Sequence, residues 1–287
     1  MRDDDDARFE PWLGRWSLVP DGAAIITPTS RLLPVRWSGA PAMLKVTHDP
    51  EERIGAAVMA WWDGDGAARV LARDEEAVLM ERAADPDALV TLSRSGDDDA
   101  ACRILCDVVA RLHVPRPHPP SGLTPLSRLF VDLEQAVAPG GLADALPDAD
   151  CRDLLRHGAA TARRLLAAPR DIVVLHGDLH HGNVLDFGPR GILAIDPKSR
   201  IGERGFDYAN IFTNPDLDYP EPPVAVVPER FRRRLAIVTA AAGLDRVRLL
   251  EWILTWTGLS AVWYLADGDP ARVDLTVAAL AAAELES

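Results

Sequence analysis

The stretch Leu175-His176-Gly177-Asp178-Leu179-His180-His181-Gly182-Asn183-Val184-Leu185 decides how the chain is read. It starts at the end of one apolar run, Ile172–Leu175, and finishes inside another, Val184–Asp186. Short apolar runs bounded by Gly and polar residues read as strands, so a polar loop is expected between two of them. A third run, residues 192–195, follows a turn at Gly188 and ends on Asp196. Asp178, Asn183 and Asp196 thereby gather three side-chain oxygens on one hairpin. Phosphoryl transfer needs an acceptor for the incoming hydroxyl proton and ligands for a metal that bridges the phosphates. This set can supply both. The same loop also allows a metal site built on His176, His180 and His181 with Asp178, or a solvated polar turn.

Upstream, residues 23–27, 32–37 and 42–47 are short apolar runs separated by Asp21-Gly22, Ser38-Gly39 and Pro41, the pattern of a β-meander. Asp49-Pro50-Glu51-Glu52 then opens a helix with acidic first-turn residues. Its apolar positions Ile54, Val58, Trp61 and Trp62 keep helical spacing until Asp63-Gly64-Asp65-Gly66 stops it. Residues 69–72 and 77–80 read as a hairpin. Beyond Ala83 the pattern turns helical, over 100–113, 125–137, 150–166, 229–242 and 245–265. The expected fold class is α+β, with a small β-rich lobe at residues 1–83 and a larger, mainly helical lobe at 84–287.

Only two of the 31 basic residues are lysines, Lys45 and Lys198. In a chain so rich in Arg, a retained lysine points to a task that suits a compact ammonium and not a guanidinium fork. Lys45 lies in the apolar run Ala42-Met43-Leu44-Lys45-Val46. It is either an edge charge or a strand lysine that meets the α- and β-phosphates of a nucleotide. A carboxylate partner is expected on the next helix, Glu52 in preference to Glu51.

Hydrophobic residues make up 48% of the 287 and charged residues 26%, the profile of a globular chain. A net charge of −13 disfavours nucleic acid and anionic lipid as partners and favours cationic ones. No run approaches the roughly 18 apolar residues of a membrane span. Met1-Arg2-Asp3-Asp4-Asp5-Asp6 lacks the apolar region of a signal peptide, so a cytoplasmic location is expected. Cys102, Cys106 and Cys151, odd in number and without CxxC spacing, are expected to be reduced packing residues.

The His-Gly-Asp-x4-Asn loop with its following Ile195-Asp196 resembles the catalytic and metal-binding segments of the aminoglycoside phosphotransferase family, whose fold is protein-kinase-like and two-lobed. Leu175 to Pro215, with Ala194-Ile195-Asp196-Pro197 and Gly202-Glu203-Arg204-Gly205-Phe206-Asp207-Tyr208-Ala209-Asn210, is similar to the streptomycin 6-kinases among the aminoglycoside/hydroxyurea antibiotic resistance kinases. Trp61-Trp62-Asp63-Gly64, Leu79-Met80-Glu81-Arg82-Ala83, residues 101–106 and Trp256-Thr257-Gly258-Leu259-Ser260-Ala261 extend the likeness along most of the chain.

The resemblance implies ATP and Mg2+ as cofactors and a streptomycin-like cation as acceptor, phosphorylated at its 6-hydroxyl in antibiotic resistance. It makes Asp178 the catalytic base, Asn183 and Asp196 the metal ligands, and Lys45–Glu52 the nucleotide pair. Glu81 C=O and Ala83 N–H would meet adenine, with Met80 facing the base. Thr27-Pro28-Thr29-Ser30 would cover the phosphates with hydroxyls, Ser30 among them. Asp207 would brace the loop or cap a helix. Pro197-Lys198 after the metal Asp argues against an in/out switch. Trp252, Trp256 and Trp263 form a stripe, core or ligand platform, with Glu251, Asp267, Asp269, Asp274, Asp216, Asp218 and Glu221 around it as candidate cleft acids. A monomer is expected. The competing readings are a kinase for choline, homoserine, a sugar or another antibiotic, and a non-catalytic nucleotide-binding scaffold.

Overall fold

The computed structural model describes residues 8–146, 148–218 and 220–287; the acidic N-terminal run lies outside them. The chain opens with helix α1 (Glu10–Arg15) and strands β1 (Leu18–Pro20), β2 (Ile25–Ile26), β3 (Ser30–Trp37) and β4 (Ala40–Thr47). Helix α2 (Pro50–Trp62) and the hairpin β5 (Val70–Arg73) and β6 (Ala77–Glu81) follow. These six strands make one antiparallel sheet of order β1-β3-β4-β6-β5, with β2 on β3. The hairpin and meander expected from the sequence are both present. Alternation along β4 sends Ala42, Leu44 and Val46 into an apolar cluster with Phe9 and Trp12 of the α1 region, and turns Met43 and Lys45 to the other face. Lys45 pairs with Leu32 on one side and Val78 on the other, so it sits mid-sheet and the edge-charge reading is wrong.

The helical part contains α3 (Ala88–Leu92), α4 (Asp98–Leu112), α5 (Leu126–Leu129), α6 (Val131–Val137), α7 (Leu142–Ala145) and α8 (Ala149–Ala167). It continues through α9 (Phe206–Ala209), α10 (Pro228–Ala242), α11 (Arg246–Ala266) and α12 (Arg272–Leu285). Helix α11 buries nearly every residue from Leu249 to Val262 and packs against α8, α9 and α12, as a helix apolar on all sides must. Two small sheets are embedded among the helices. β9 (Val184–Asp186) pairs antiparallel with β10 (Ile192–Ala194). β11 (Arg200–Glu203) lies between β8 (Ile172–Leu175) and β7 (Thr124–Pro125). Backbone bonds from Ala68 and Ala84 reach Ala194 and Asp186 and fasten the β9–β10 hairpin to the first sheet. Cys102, Cys106 and Cys151 are free and buried.

Residues 200–203 and 272–285 are elements that the sequence reading does not contain. Arg200-Ile201-Gly202-Glu203 has one large apolar residue, and its strand is held by ion pairs from Arg200 to Glu51 and from Glu203 to Arg248.

Arg234 of α10 is wholly buried and forks onto Asp98 at the start of α4, at 2.6 and 2.9 Å. Its remaining nitrogen donates to the carbonyls of Ile211 and Asn214, both at 2.6 Å. The charge is therefore fully spent on holding the 210–214 turn. Arg234→Met leaves Asp98 buried and uncompensated, and is expected to cost about 3–5 kcal/mol. That is a fall on the order of 10 °C in thermal melting. Arg233→Ala, which removes an exposed pair with Asp99, should leave the melting temperature unchanged.

Asp274, in the first turn of α12, is wholly buried; Ser260 lies beside it, yet neither carboxylate oxygen finds a donor in hydrogen-bond geometry. Burial raises its pKa to about 7. The folded state thus holds a proton between about pH 4 and 7 that the unfolded chain has released, so stability falls as pH rises through that window. Asp274→Asn removes the titration. Chemical denaturation at pH 4 and pH 8 should show the variant gaining on the wild type by up to about 4 kcal/mol between the two.

Candidate active site

The loop between β8 and β9 is shaped by its backbone partners. Asp207 accepts the N–H groups of His176 and Gly177, both at 2.8 Å, and meets His113 Nε2 at 2.8 Å. It lies inside α9, whose N-cap is Gly205, so the bracing role holds and the capping alternative does not. Gly177 adopts φ +81°, and a Cβ there would lie 2.7 Å from Arg200 Cγ, so only glycine fits the turn before Asp178. The three histidines are dispersed. His176 Nε2 lies 2.8 Å from the Ile195 carbonyl, His180 Nδ1 accepts from Gly182 N–H, and His181 is buried with both ring nitrogens unpartnered. Burial and the Arg234 guanidinium hold His181 well below its usual pKa. No group of three or more His, Cys, Asp or Glu side chains among the described residues is arranged to hold a metal, so the histidine metal site finds no support.

Asp178 is gripped from two sides. Asn183 Nδ2 donates to its main-chain carbonyl at 2.9 Å and to Oδ2 at 3.3 Å, and Asn210 Nδ2 donates to Oδ1 at 2.8 Å. Asn210 Oδ1 in turn accepts from Thr213, Asn214 and Trp256, which fixes which way its amide faces. Nothing local in Tyr208-Ala209-Asn210 marks Asn210 for this role, because its partners are 32 and 46 residues away.

A cavity of about 340 Å³ beneath the large sheet is lined by Thr27, Thr29, Ser30, Lys45, Glu52, Met80, Asn183, Asp196 and Lys198, among others. Lys45 Nζ bonds both Glu52 and Asp196. Lys198 Nζ bonds the second oxygen of each, at 3.1 and 3.0 Å. Thr29 Oγ1 donates to Glu52 at 3.2 Å. Glu51 faces away and pairs with Arg200 at 2.6 Å, so the helix partner of Lys45 is Glu52. Burial opposes ionisation of Asp196, but Lys45 and Lys198 more than reverse this and hold the carboxyl well below its usual range. Met80 joins Met59, Val78 and Ile195 as the apolar end of the cavity. Glu81 and Ala83 lie beyond the lining; the Glu81 carboxylate is taken by Arg190 and by Arg69 N–H. Asn183 spends its side-chain nitrogen on Asp178, which leaves Oδ1 as an acceptor in the same cavity as Asp196. One amide oxygen and one carboxylate suit Mg2+, which is usually held by one or two carboxylates and completed by substrate phosphates and water.

A second cavity, also about 340 Å³, is lined by Asp178 together with His180, Asn210, Asn214, Asp218, Trp256, Ser260, Trp263, Tyr264 and Asp267. Of the candidate acids, Asp218 and Asp267 line it. Asp216 is buried and accepts the N–H groups of Val224, Ala225 and Val226, Asp269 accepts from Ala271 N–H, and Glu251 pairs with Arg164. Glu221 is exposed and Asp274 is buried away from the lining. The tryptophan stripe divides. Trp252 is core and donates to Glu203, whereas Trp256 and Trp263 meet edge to face at 5.9 Å and wall the cavity.

The profile of the aminoglycoside/hydroxyurea antibiotic resistance kinase family matches residues 15–268. A streptomycin 3''-kinase from Klebsiella pneumoniae is 52% identical over 272 residues, which cover 93% of this chain and 97% of the relative. A streptomycin 6-kinase from Streptomyces glaucescens is 36% identical over 285 residues, 95% of this chain and 88% of the relative. Among solved structures, a thermostable mutant of the aminoglycoside phosphotransferase APH(4)-Ia, in a ternary complex with ADP and hygromycin B, superimposes with a TM-score of 0.63 at 14% identity. The superposition covers 95% of this chain and 97% of that one, and it establishes the kinase-like fold. Fold and sequence agree, and the chain belongs to the aminoglycoside/hydroxyurea antibiotic resistance kinase family, a family of phosphotransferases.

Proposed function

We propose that the protein transfers the terminal phosphoryl group of ATP to a hydroxyl of streptomycin. The observation that carries this reading is that Asp178 lines the second cavity and links it to the first: its carboxylate accepts from Asn183, which lines the first, and from Asn210, which lines the second. In this reading ATP occupies the cavity of Lys45, with Met80 against the base, the Glu81 carbonyl and Ala83 N–H on adenine, and the Thr27–Ser30 turn over the phosphates. Residues 1–83 form the nucleotide lobe and 84–287 carry the acceptor site, although Asn183 and Asp196 reach into the nucleotide cavity from the second part. The acceptor lies in the cavity of Trp256, Trp263, Asp218 and Asp267, and the enzyme acts in the cytoplasm as a monomer.

Asp178 orients the acceptor hydroxyl and takes its proton as that oxygen attacks the γ-phosphorus. The bond from the γ-phosphorus to the β–γ bridging oxygen breaks, and ADP leaves. Asn183 and Asp196 would hold Mg2+, which neutralises charge on the phosphates when bound. Streptomycin carries two guanidinium groups, and each can pair with a carboxylate in a fork; Asp218 and Asp267 are placed for such pairing. A neutral sugar would leave both acids without partners.

Two hydroxyls compete as the target. The sequence resemblance favours the 6-hydroxyl. The 52% identity to a protein named streptomycin 3''-kinase, against 36% to one named 6-kinase, favours the 3''-hydroxyl, and we adopt the latter. Incubation with streptomycin, ATP and magnesium should give a singly phosphorylated product by mass spectrometry, with phosphorus-coupled NMR locating it at 3''. Coupling at position 6 would overturn the regiochemical choice alone; absence of product would overturn the function.

Asp178→Asn should lower kcat by about 100- to 10,000-fold while ATP affinity stays within threefold, since it removes the proton acceptor and no nucleotide contact. Asp218→Asn and Asp267→Asn should each raise the streptomycin KM by about tenfold with a small change in kcat. Wild-type KM should also rise with salt, because attraction to exposed acids is screened over about 8 Å at physiological ionic strength. A KM indifferent to both salt and these substitutions would place the acceptor elsewhere.

A further inference from the structure

We propose that Lys198 is a second phosphate-binding lysine, which contacts the phosphoryl group in transfer; the proposal rests on the nucleotide reading of the cavity given above. The only two lysines of the chain converge on this one cavity, in a protein that otherwise uses arginine for every cation. They do so from different directions. Lys45 comes from the sheet, Lys198 from the turn that follows the metal-ligand strand. Each bonds one oxygen of Glu52 and one of Asp196, closing a four-membered ring of two cations and two anions. An ammonium has three N–H donors. The ring uses two from each lysine and leaves each a third donor for an incoming anion.

The turn that presents Lys198 is held from both sides. Asp196 and Ser199 adopt φ of +60° and +45°, a conformation uncommon for non-glycine residues, so the chain doubles back at each end of Pro197-Lys198. Lys198 N–H donates to the His176 carbonyl at 2.7 Å, which ties it to the loop of Asp178. Ser199 Oγ donates to the Glu51 carbonyl at 2.8 Å, which ties it to α2. The ammonium, held by Glu52 and Asp196, lies where the cavity approaches the loop of Asp178. Charge at the terminal phosphoryl changes most during transfer, and a preorganised cation there lowers the barrier. Lys45, from the sheet, is left to the inner phosphates.

The test is nucleotide binding, read without any acceptor. Dissociation constants for ADP and for the non-hydrolysable β,γ-imido analogue of ATP are measured with magnesium for wild type, Lys198→Gln, Lys198→Met and Lys45→Ala, with thermal melts to verify folding. Lys198→Gln keeps a donor for Glu52 without the charge and guards against collapse of the ring. Wild type should prefer the triphosphate analogue by about 10- to 100-fold, the size of one charge-assisted hydrogen bond. Both Lys198 variants should lose that preference and keep ADP affinity within threefold, and kcat should fall at least 100-fold. Lys45→Ala should weaken both nucleotides together. A preserved triphosphate preference in a folded Lys198 variant, or an ADP loss as large as that of Lys45→Ala, overturns the assignment to the transferred group. Equal binding of the two nucleotides by wild type overturns it as well. Failure of wild type to bind either nucleotide overturns the functional reading, and this proposal with it.

Discussion

The ring formed by Lys45, Glu52, Lys198 and Asp196 is the junction on which the two parts of the molecule meet. Its members come from three places: a central strand, the first turn of a helix, and one tight turn that supplies both Asp196 and Lys198. None of the four charges is affordable alone where it sits, since an unpaired charge in a water-poor cavity carries a large desolvation cost. Together they balance, two positive and two negative, and each is stable only while strand, helix and turn hold their mutual positions. Electrostatics here is a geometric constraint as much as a source of affinity.

Behind the ring lies a second tier of buried polar residues that touch no substrate. Asp207 holds the backbone of the loop that carries Asp178, with His113 behind it. Arg234 and Asp98 hold the 210–214 turn, and that turn sets Asn210 against Asp178. Polar groups this deep are tolerated because they are hydrogen-bonded to one another or to the backbone. The Asp178 carboxylate thus inherits its orientation through two independent chains of hydrogen bonds, one from each flank.

Much of this arrangement was legible in the residues. The loop from Leu175 to Leu185, the strand carrying Lys45 and the helix carrying Glu52 are local patterns, and local patterns survive in sequence. A rare lysine inside an apolar run marked Lys45, and acidic first-turn residues marked the start of α2. Helix–sheet assignment failed where side chains far away decide the matter. Residues 200–203 become a strand because Glu51 and Arg248 neutralise its charged ends, and nothing within the tetrapeptide says so. The candidate cleft acids divided for the same reason. Asp216 and Asp218 are two residues apart, yet one is consumed by three backbone amides and the other faces open space. Asn210 and His113 escaped notice because their partners are tens of residues away.

Gly55 sits one turn after Glu52, and a Cβ at that position would come within 2.3 Å of the Pro197 carbonyl. Helix and turn are in backbone-to-backbone contact there, with no layer of side chains between them. A kinase that silences itself by swinging this helix outward depends on a compressible seam at that boundary, one where side chains can repack as the angle changes. Two backbones in direct contact have no such slack. Glu52, one turn before Gly55, and Asp196, next to Pro197, are thereby held at close quarters by main chain rather than by side-chain packing.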